Sequence, residues 1–308
     1  MKKRILITGG SGFIGTNLIL ALQKKGFDIL NVDLVPNPHL EVETLLLDLN
    51  KSDLSFIDKS FDTVVHLAAL SNARLCANIV DSMETNVSLT VRMLESSRLV
   101  KIRKIIYMSS IVVYSNDNPI PLREEAKLDY FHDNYSLTKG LAEENAQYFL
   151  ERLGTPVLIF RLSNVYGPYQ SWDGPANLVP QICKQALLEG KIEIWSTKPK
   201  RDWLCIDDAM EAVVRAIDSD VTGLMNIGTG VSRSVGDLVN IVSRETGVPV
   251  IALDKEVLGP SNICCDISRL KEALNYVPAT SLEEGLAKTV KYYRDKIKKG
   301  LGVSSPHQ

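Results

Sequence analysis

The segment "NYSLTKG" (134–140) sets Tyr135 four residues before Lys139, and the residues that follow, "LAEENAQYFLERLG", read as a helix. Four residues are about one helical turn, so phenol and ammonium stand one above the other on a single face. Tyrosine titrates at about pH 10 in water. A neighbouring ammonium favours the phenolate and is expected to lower that value, giving a group able to take a hydroxyl proton near neutrality. Because Y-x-x-x-K also occurs by chance, the pair gains meaning only from what the rest of the chain places around it.

A second constellation lies near the start. "ITGGSGFIG" (7–15) carries Gly9, Gly10, Gly12 and Gly15 where a strand is expected to turn into a helix, with Phe13 and Ile14 opening that helix. Glycines there let the backbone turn tightly and approach a pyrophosphate, whose charge is met by the helix N-terminus. Asp33 follows Gly15 by eighteen residues, at the end of the next expected strand. A carboxylate so placed accepts hydrogen bonds from ribose hydroxyls and repels a 2′-phosphate, and "LVPNP" behind it offers no cation. The pattern therefore points to NAD rather than NADP.

The elements needed to hold these groups alternate in the first half. "RILIT" (4–8), "FDILNVD" (27–33), "ETLLLDL" (43–49), "DTVVHLA" (62–68), "RKIIYMS" (103–109) and "TPVLIFRL" (155–162) read as buried strands. Helical periodicity runs through 13–25, 81–100 and the segment after Tyr135. This alternation predicts an α/β fold, a Rossmann-type doubly wound parallel sheet covered on both faces. After about residue 165 the rhythm breaks in "NVYGPYQSWDGPANLVP". Shorter elements follow: helices near 178–189, 208–217, 234–246 and 281–298, and strands near 191–195 and 203–206. The expected organisation is an NAD-binding domain over 1–165, a smaller C-terminal α/β substrate lobe made mainly of 166–298, from which some segments return to the first domain, and a flexible tail over 299–308.

Composition excludes several classes. Thirty-five basic and thirty-seven acidic residues are interspersed, which gives no footprint for nucleic acid or an anionic membrane. The apolar runs fall well short of the roughly 20 residues that span a bilayer, and "MKKRILITGG" lacks a long apolar signal region. Five cysteines without metal-ligand spacing suit a reducing, cytoplasmic setting. Cys264 and Cys265 read as neighbouring strand residues. His39, His66, His132 and His307 are scattered, so no metal site is expected.

With "TGGSGFIG", "HLAA" (66–69) and "YSLTK" (135–139) in this order, the chain resembles the extended short-chain dehydrogenase/reductase family, in particular its nucleotide-sugar epimerases and dehydratases such as UDP-glucose 4-epimerase. The resemblance spans residues 3 to 295, and further motifs agree: "ETNV" with Asn86, "MSSIVVY" with Ser110, "RLSNVYGP", "RDWLCIDD" and "NIGTG". It implies that Asp48 and Leu49 line the adenine, and that Leu67, Ala68 and Ala69 pass beside the cofactor. It also implies catalysis by Ser110, Tyr135 and Lys139, with the positive nicotinamide joining Lys139 to favour the Tyr135 phenolate, and with Ser71, Asn164, Asn177 and Arg201 reaching a nucleotide-diphosphate sugar. Structural roles compete: Asn164 as a loop pin, Asp207 or Asp208 as a helix cap, and Trp172 as lobe packing rather than a cover over the sugar. Members commonly pair through two long helices, here about 75–99 and 135–152, so a homodimer is the expectation.

The residues after Ser110 discriminate among reactions. Similar 4,6-dehydratases carry an Asp-Glu pair where this chain has Ile111 and Val112, similar decarboxylases carry Glu at Val112, and similar 3,5-epimerases carry Cys there. Neither Ile nor Val moves a proton. What survives is 4-epimerisation, or 4-ketosugar reduction or dehydrogenation with an exchangeable cofactor. A dinucleotide-sensing protein on this fold is the rival of another class, but such proteins tend to lose the Tyr-Lys pair. The UDP-galactose epimerases have a second phosphate-binding Arg where this chain reads "KEVLGPSNICCDIS", with Lys255 and Glu256. Either Lys255 replaces it or the substrate is held differently, which leaves UDP-, CDP-, dTDP- and GDP-sugars open.

Overall fold

The computed structural model describes residues 3–173, 177–257 and 259–300. The chain opens with β1 (Arg4–Thr8), α1 (Phe13–Lys24), β2 (Asp28–Asp33), β3 (Thr44–Leu46) and β4 (Thr63–His66). A continuous helical stretch follows, made of α2 (Ile79–Ser82), a π-helical turn (Met83–Ser88) and α3 (Leu89–Leu99). Then come β5 (Lys104–Ser110), α4 (Asn134–Glu151), β6 (Val157–Leu162), β7 (Asn164–Tyr166), α5 (Leu178–Lys184), β8 (Ile192–Ile194) and β9 (Lys200–Cys205). The last elements are α6 (Ile206–Asp218), β10 (Gly223–Ile227), β11 (Ser232–Ser234), α7 (Val235–Thr246), β12 (Val250–Ala252), α8 (Ser268–Leu274) and α9 (Leu282–Lys298).

Seven strands form one parallel sheet in the order β10-β6-β5-β4-β1-β2-β3. Successive strand residues point to opposite faces, and the cores follow that alternation. Ile5, Ile7, Ile106, Met108 and Phe160 pack with α1 and α6 on one side. Leu6 and Val64 pack with α3, while Ile105, Tyr107 and Ile159 pack with α4, on the other. The chain reverses direction across the sheet between β1 and β4. That switch point opens a crevice at the carboxyl ends of the strands, where ligands of such sheets bind.

β10 and α6 come from beyond residue 165 yet belong to this sheet and its covering layer. A separate core, with Tyr166, Trp203, Leu238, Leu286 and Tyr293 among its members, holds the three-stranded sheet β11-β9-β7 and the pair β12-β8 together with α5, α7 and α9. Trp172 stacks on Tyr293 in that core, with ring centroids 5.4 Å apart, so its role is lobe packing. Cys264 and Cys265 are not in a named strand; Cys265 makes an isolated bridge to Leu122. All five cysteines are buried thiols. No described helix is long and apolar enough to cross a membrane. From residue 301 on, the expected tail lies outside the described residues.

Candidate active site

The crevice is a cleft of about 600 Å³. Its floor begins with the glycine turn. Gly9 is at φ +74°, and a Cβ there would stand 2.7 Å from the Ala68 nitrogen; one on Gly15 would meet the Gly10 Cα at 2.4 Å. These two positions are glycine because the turn, β4 and α1 press together. Gly12 differs: its φ of −80° suits any residue, and a Cβ would come no closer than 3.5 Å to protein, at the Gly9 carbonyl. The polypeptide's own packing does not demand glycine there, and the missing side chain opens the cleft floor. Gly12 caps α1 without a side-chain bond, and the first turn holds no acid. The first amide groups of α1 are thus available to an anion. This cradle fits the pyrophosphate of NAD.

Asp33, at the end of β2, accepts from the Ser11 amide (2.9 Å) and the Leu34 amide (2.7 Å), which locks strand end to glycine turn. Asp33 also lines the cleft. Asp48 pairs with Lys51 at 2.9 Å, and that hydrogen bond holds its carboxyl below the usual range. Leu49, Leu67, Ala68, Ala69 and Ser71 line the same cleft.

At the other end of the floor, Ser110 closes β5 and Tyr135 lies in the first turn of α4, whose entry is fixed by a capping box between Asp133 and Ser136. The Lys139 ammonium donates to the Met108 carbonyl at 2.8 Å. Asn86 ties this corner together from the π-helical turn. It accepts from the Leu70 amide (2.8 Å) and donates to the Leu70 carbonyl (3.1 Å) and to Thr138 (3.0 Å). Ser110, Tyr135 and Lys139 all face the cleft.

In the polypeptide alone the phenolate is not favoured. Burial pushes the Tyr135 phenol up to about 12, with the Ser110 hydroxyl working the other way. Burial also brings the Lys139 ammonium down to about 8. The polypeptide alone therefore keeps Tyr135 protonated at neutral pH, because the ammonium is engaged by Met108 and desolvation disfavours the phenolate.

Of the residues assigned to substrate, Ser71 and Asn177 line the cleft, whereas Asn164 and Arg201 are not part of that lining. The Asn164 carbonyl oxygen is buried without a partner. Arg201 donates to the carbonyls of Lys200 (2.8 Å) and Pro260 (2.9 Å) but has no carboxylate partner among the described residues. Burial lowers its pKa. Lys255 lies over the Trp195 ring, 5.6 Å from the centroid. Asp208 accepts from the Tyr276 hydroxyl and the Thr280 amide, and Asp207 pairs with Lys288. His66 is buried between the Thr8 and Thr90 hydroxyls, at 2.7 and 3.1 Å, a packing role. No group of three potential metal ligands occurs among the described residues.

Sequence reasoning missed His39, Ser163, Tyr169, Gln170 and Tyr292, all of which line the cleft. It also missed the ion pair of Arg161 and Glu143, both almost fully buried, beneath the site; Glu143 accepts there from Ser109 at 2.5 Å. Only the polar run "RLSN" hinted at Ser163; the others come together from distant segments.

Residues 5–228 match the NAD dependent epimerase/dehydratase family. The chain belongs to that family, and its cofactor is NAD. A UDP-N-acetyl-alpha-D-glucosaminuronate decarboxylase from Bacillus cytotoxicus is 30% identical, over 96% of this chain and 99% of its own. A UDP-glucose 4-epimerase from Mycolicibacterium smegmatis is 29% identical, over 95% and 99%. The solved UDP-glucuronic acid 4-epimerase from Bacillus cereus, in complex with UDP-glucuronic acid and NAD, superimposes with a TM-score of 0.84 at 26% identity, over 95% of this chain and 99% of that one.

Proposed function

We propose that this protein epimerises a nucleotide-diphosphate sugar at C4 through a transient 4-keto intermediate. The observation that carries the proposal is the poverty of the cleft's reactive end. Among its described lining residues, Asp33, Asp48 and His39 belong to the side of the glycine turn and β2, and Tyr169 and Tyr292 cluster with His39 there, which leaves Tyr135 and Lys139 as the titratable pair beside Ser110. One acid-base group suits chemistry at a single carbon. Elimination or decarboxylation assisted by a second such group finds none at Ile111 and Val112, even though one relative is a decarboxylase.

In this reading Gly9, Gly12, Phe13, Ile14 and Gly15 hold the pyrophosphate, Asp33 the adenosine ribose, and Asp48 and Leu49 the adenine. Leu67, Ala68 and Ala69 line the cofactor's path. NAD supplies the hydride acceptor and a positive ring whose charge favours the Tyr135 phenolate. Tyr135 takes the 4-hydroxyl proton and later returns it, Ser110 hydrogen-bonds the same oxygen, and Lys139 keeps its ammonium beside them. The first domain, 1–165 with the segments that rejoin its sheet, holds the cofactor. The lobe, mainly 166–298, holds the nucleotide. Asn164 brings an unpartnered carbonyl oxygen, and Arg201 a half-buried guanidinium suited to phosphate.

We further propose a cytoplasmic homodimer pairing α2–α3 and α4. In support, Val80, Leu99 and Tyr148 expose 69%, 65% and 54% of their surfaces on those helices or at their ends.

The test is a proton NMR time course with UDP-, CDP-, dTDP- and GDP-hexoses and no added cofactor. A new anomeric signal at constant total sugar is expected and names the nucleotide. Turnover only of a 4-ketosugar with added NADH or NADPH overturns the proposal in favour of a reductase.

A further inference from the structure

Two loops close on the glycine turn and the helix it opens. The loop after β2 is fastened to it by three side-chain bonds: Ser11 donates to the Val35 carbonyl (2.8 Å), and Asn37 donates to the Gly10 carbonyl and to Thr16 (both 2.9 Å). The loop after β7 is fastened by Asn17 of α1, which donates to the Pro168 carbonyl at 3.0 Å, and by Tyr293 of α9, which donates to the Gln170 carbonyl at 2.7 Å. Where the loops meet, the rings of His39 and Tyr169 lie 4.9 Å apart, and Tyr169 in turn lies 4.9 Å from Tyr292 of α9. The three rings line the same cleft as Gly12 and Phe13. Lys296, one turn beyond Tyr292, sets its ammonium 3.4 Å from His39 and 5.8 Å from the Tyr292 ring centroid.

The backbone at Tyr169 adds an independent observation. Its φ is +71°, a conformation that favours glycine and costs free energy for a bulky residue. A tyrosine held there is explained by what its ring touches.

We propose that His39, Tyr169 and Tyr292 form an aromatic clasp across the phosphate-binding turn that retains NAD between turnovers. The ring contact joins the cofactor domain to the lobe directly beside the cradle, so a dinucleotide seated on α1 leaves only when His39 and Tyr169 part. This inference rests on NAD binding and adds retention to it. An enzyme that regenerates its cofactor in each cycle gains from slow release.

The experiment loads the wild type and three variants with NAD, adds excess fluorescent etheno-NAD, and follows displacement; NAD released on denaturation is also quantified. Tyr169→Gly removes the ring at a position where the backbone favours glycine. It is expected to release NAD about three- to tenfold faster, the scale of one lost aromatic pair. His39→Ala is expected to do the same, and Tyr169→Phe to match the wild type. Wild-type release rates in Tyr169→Gly, or in His39→Ala should the first variant fail to fold, overturn the clasp. Release from Tyr169→Phe as fast as from Tyr169→Gly overturns the role of the ring. A wild type that neither carries nor takes up NAD overturns cofactor binding and the clasp together.

Discussion

The floor of the cleft and the wall above it are built on opposite plans. On the floor, the turn after β1 is closed by its own packing: Gly9 and Gly15 fill against Ala68 and Gly10, and Asp33 and Asn31 hold the Ser11 and Gly10 amides. The wall, from the end of β6 into the loop after β7, carries side-chain atoms with no protein partner: the Ser163 hydroxyl and the Gln170 side-chain amide oxygen. A buried polar group left unpaired costs about 1–3 kcal/mol. The floor is therefore finished before ligand arrives, whereas the wall gives up stability that a ligand's hydrogen bonds restore.

The largest effect is expected where the two meet. Tyr135→Phe keeps the ring and removes the proton carrier, so turnover should fall by about 10²–10⁴-fold while the NAD content of the purified protein stays the same. Normal turnover would remove Tyr135 from the mechanism. In the lobe behind the wall, Arg201→Met should raise KM by about tenfold to a hundredfold, the loss of one charged hydrogen bond, with kcat and melting temperature little changed. A lower melting temperature at unchanged KM would make Arg201 structural and weaken the contrast. On the floor, Gly12→Ala should fold normally, since its Cβ has room. NAD occupancy should drop by about tenfold or more, as a methyl group enters the cradle. Full occupancy by absorbance would mean that the dinucleotide lies elsewhere.

The smallest effect concerns the floor's foundation. Burial holds His66 neutral, its pKa lowered to about 3 from an ordinary 6.5. The unfolded chain binds a proton below pH 6.5 that the folded chain refuses. The stability this group contributes is complete above pH 6.5 and is lost as pH falls towards 3, at up to about 1.4 kcal/mol per unit. Urea midpoints at pH 7 and pH 5 should diverge less in His66→Gln than in the wild type; equal divergence would place the acid sensitivity elsewhere.

What was legible in the sequence is what is local. The first six strands, the helices beginning at Phe13 and Asn134, and the glycine turn each announce themselves within a few residues through period and turn chemistry. The wall is assembled from distant segments, so no window contains it: His39, Tyr169 and Tyr292 meet across more than half of the chain. Arg161 and Glu143 pair between β6 and α4, invisible to the patterns of either. β10 was missed because its partner residues in β6 lie 65 positions back and only the sheet completes it. The protonation of Tyr135 in the polypeptide alone was not legible for a related reason. Spacing put Lys139 on the right face, but desolvation and the Met108 carbonyl decide its influence.

The central claim is that one carbon is oxidised and reduced again with Tyr135 as the sole proton carrier. The most direct measurement is to run the reaction to equilibrium in D2O and examine the product by NMR and mass spectrometry. Direct return of the C4 hydrogen predicts an epimerised sugar with no carbon-bound deuterium. Deuterium at C3 or C5 would show a second proton-transfer site and contradict the claim.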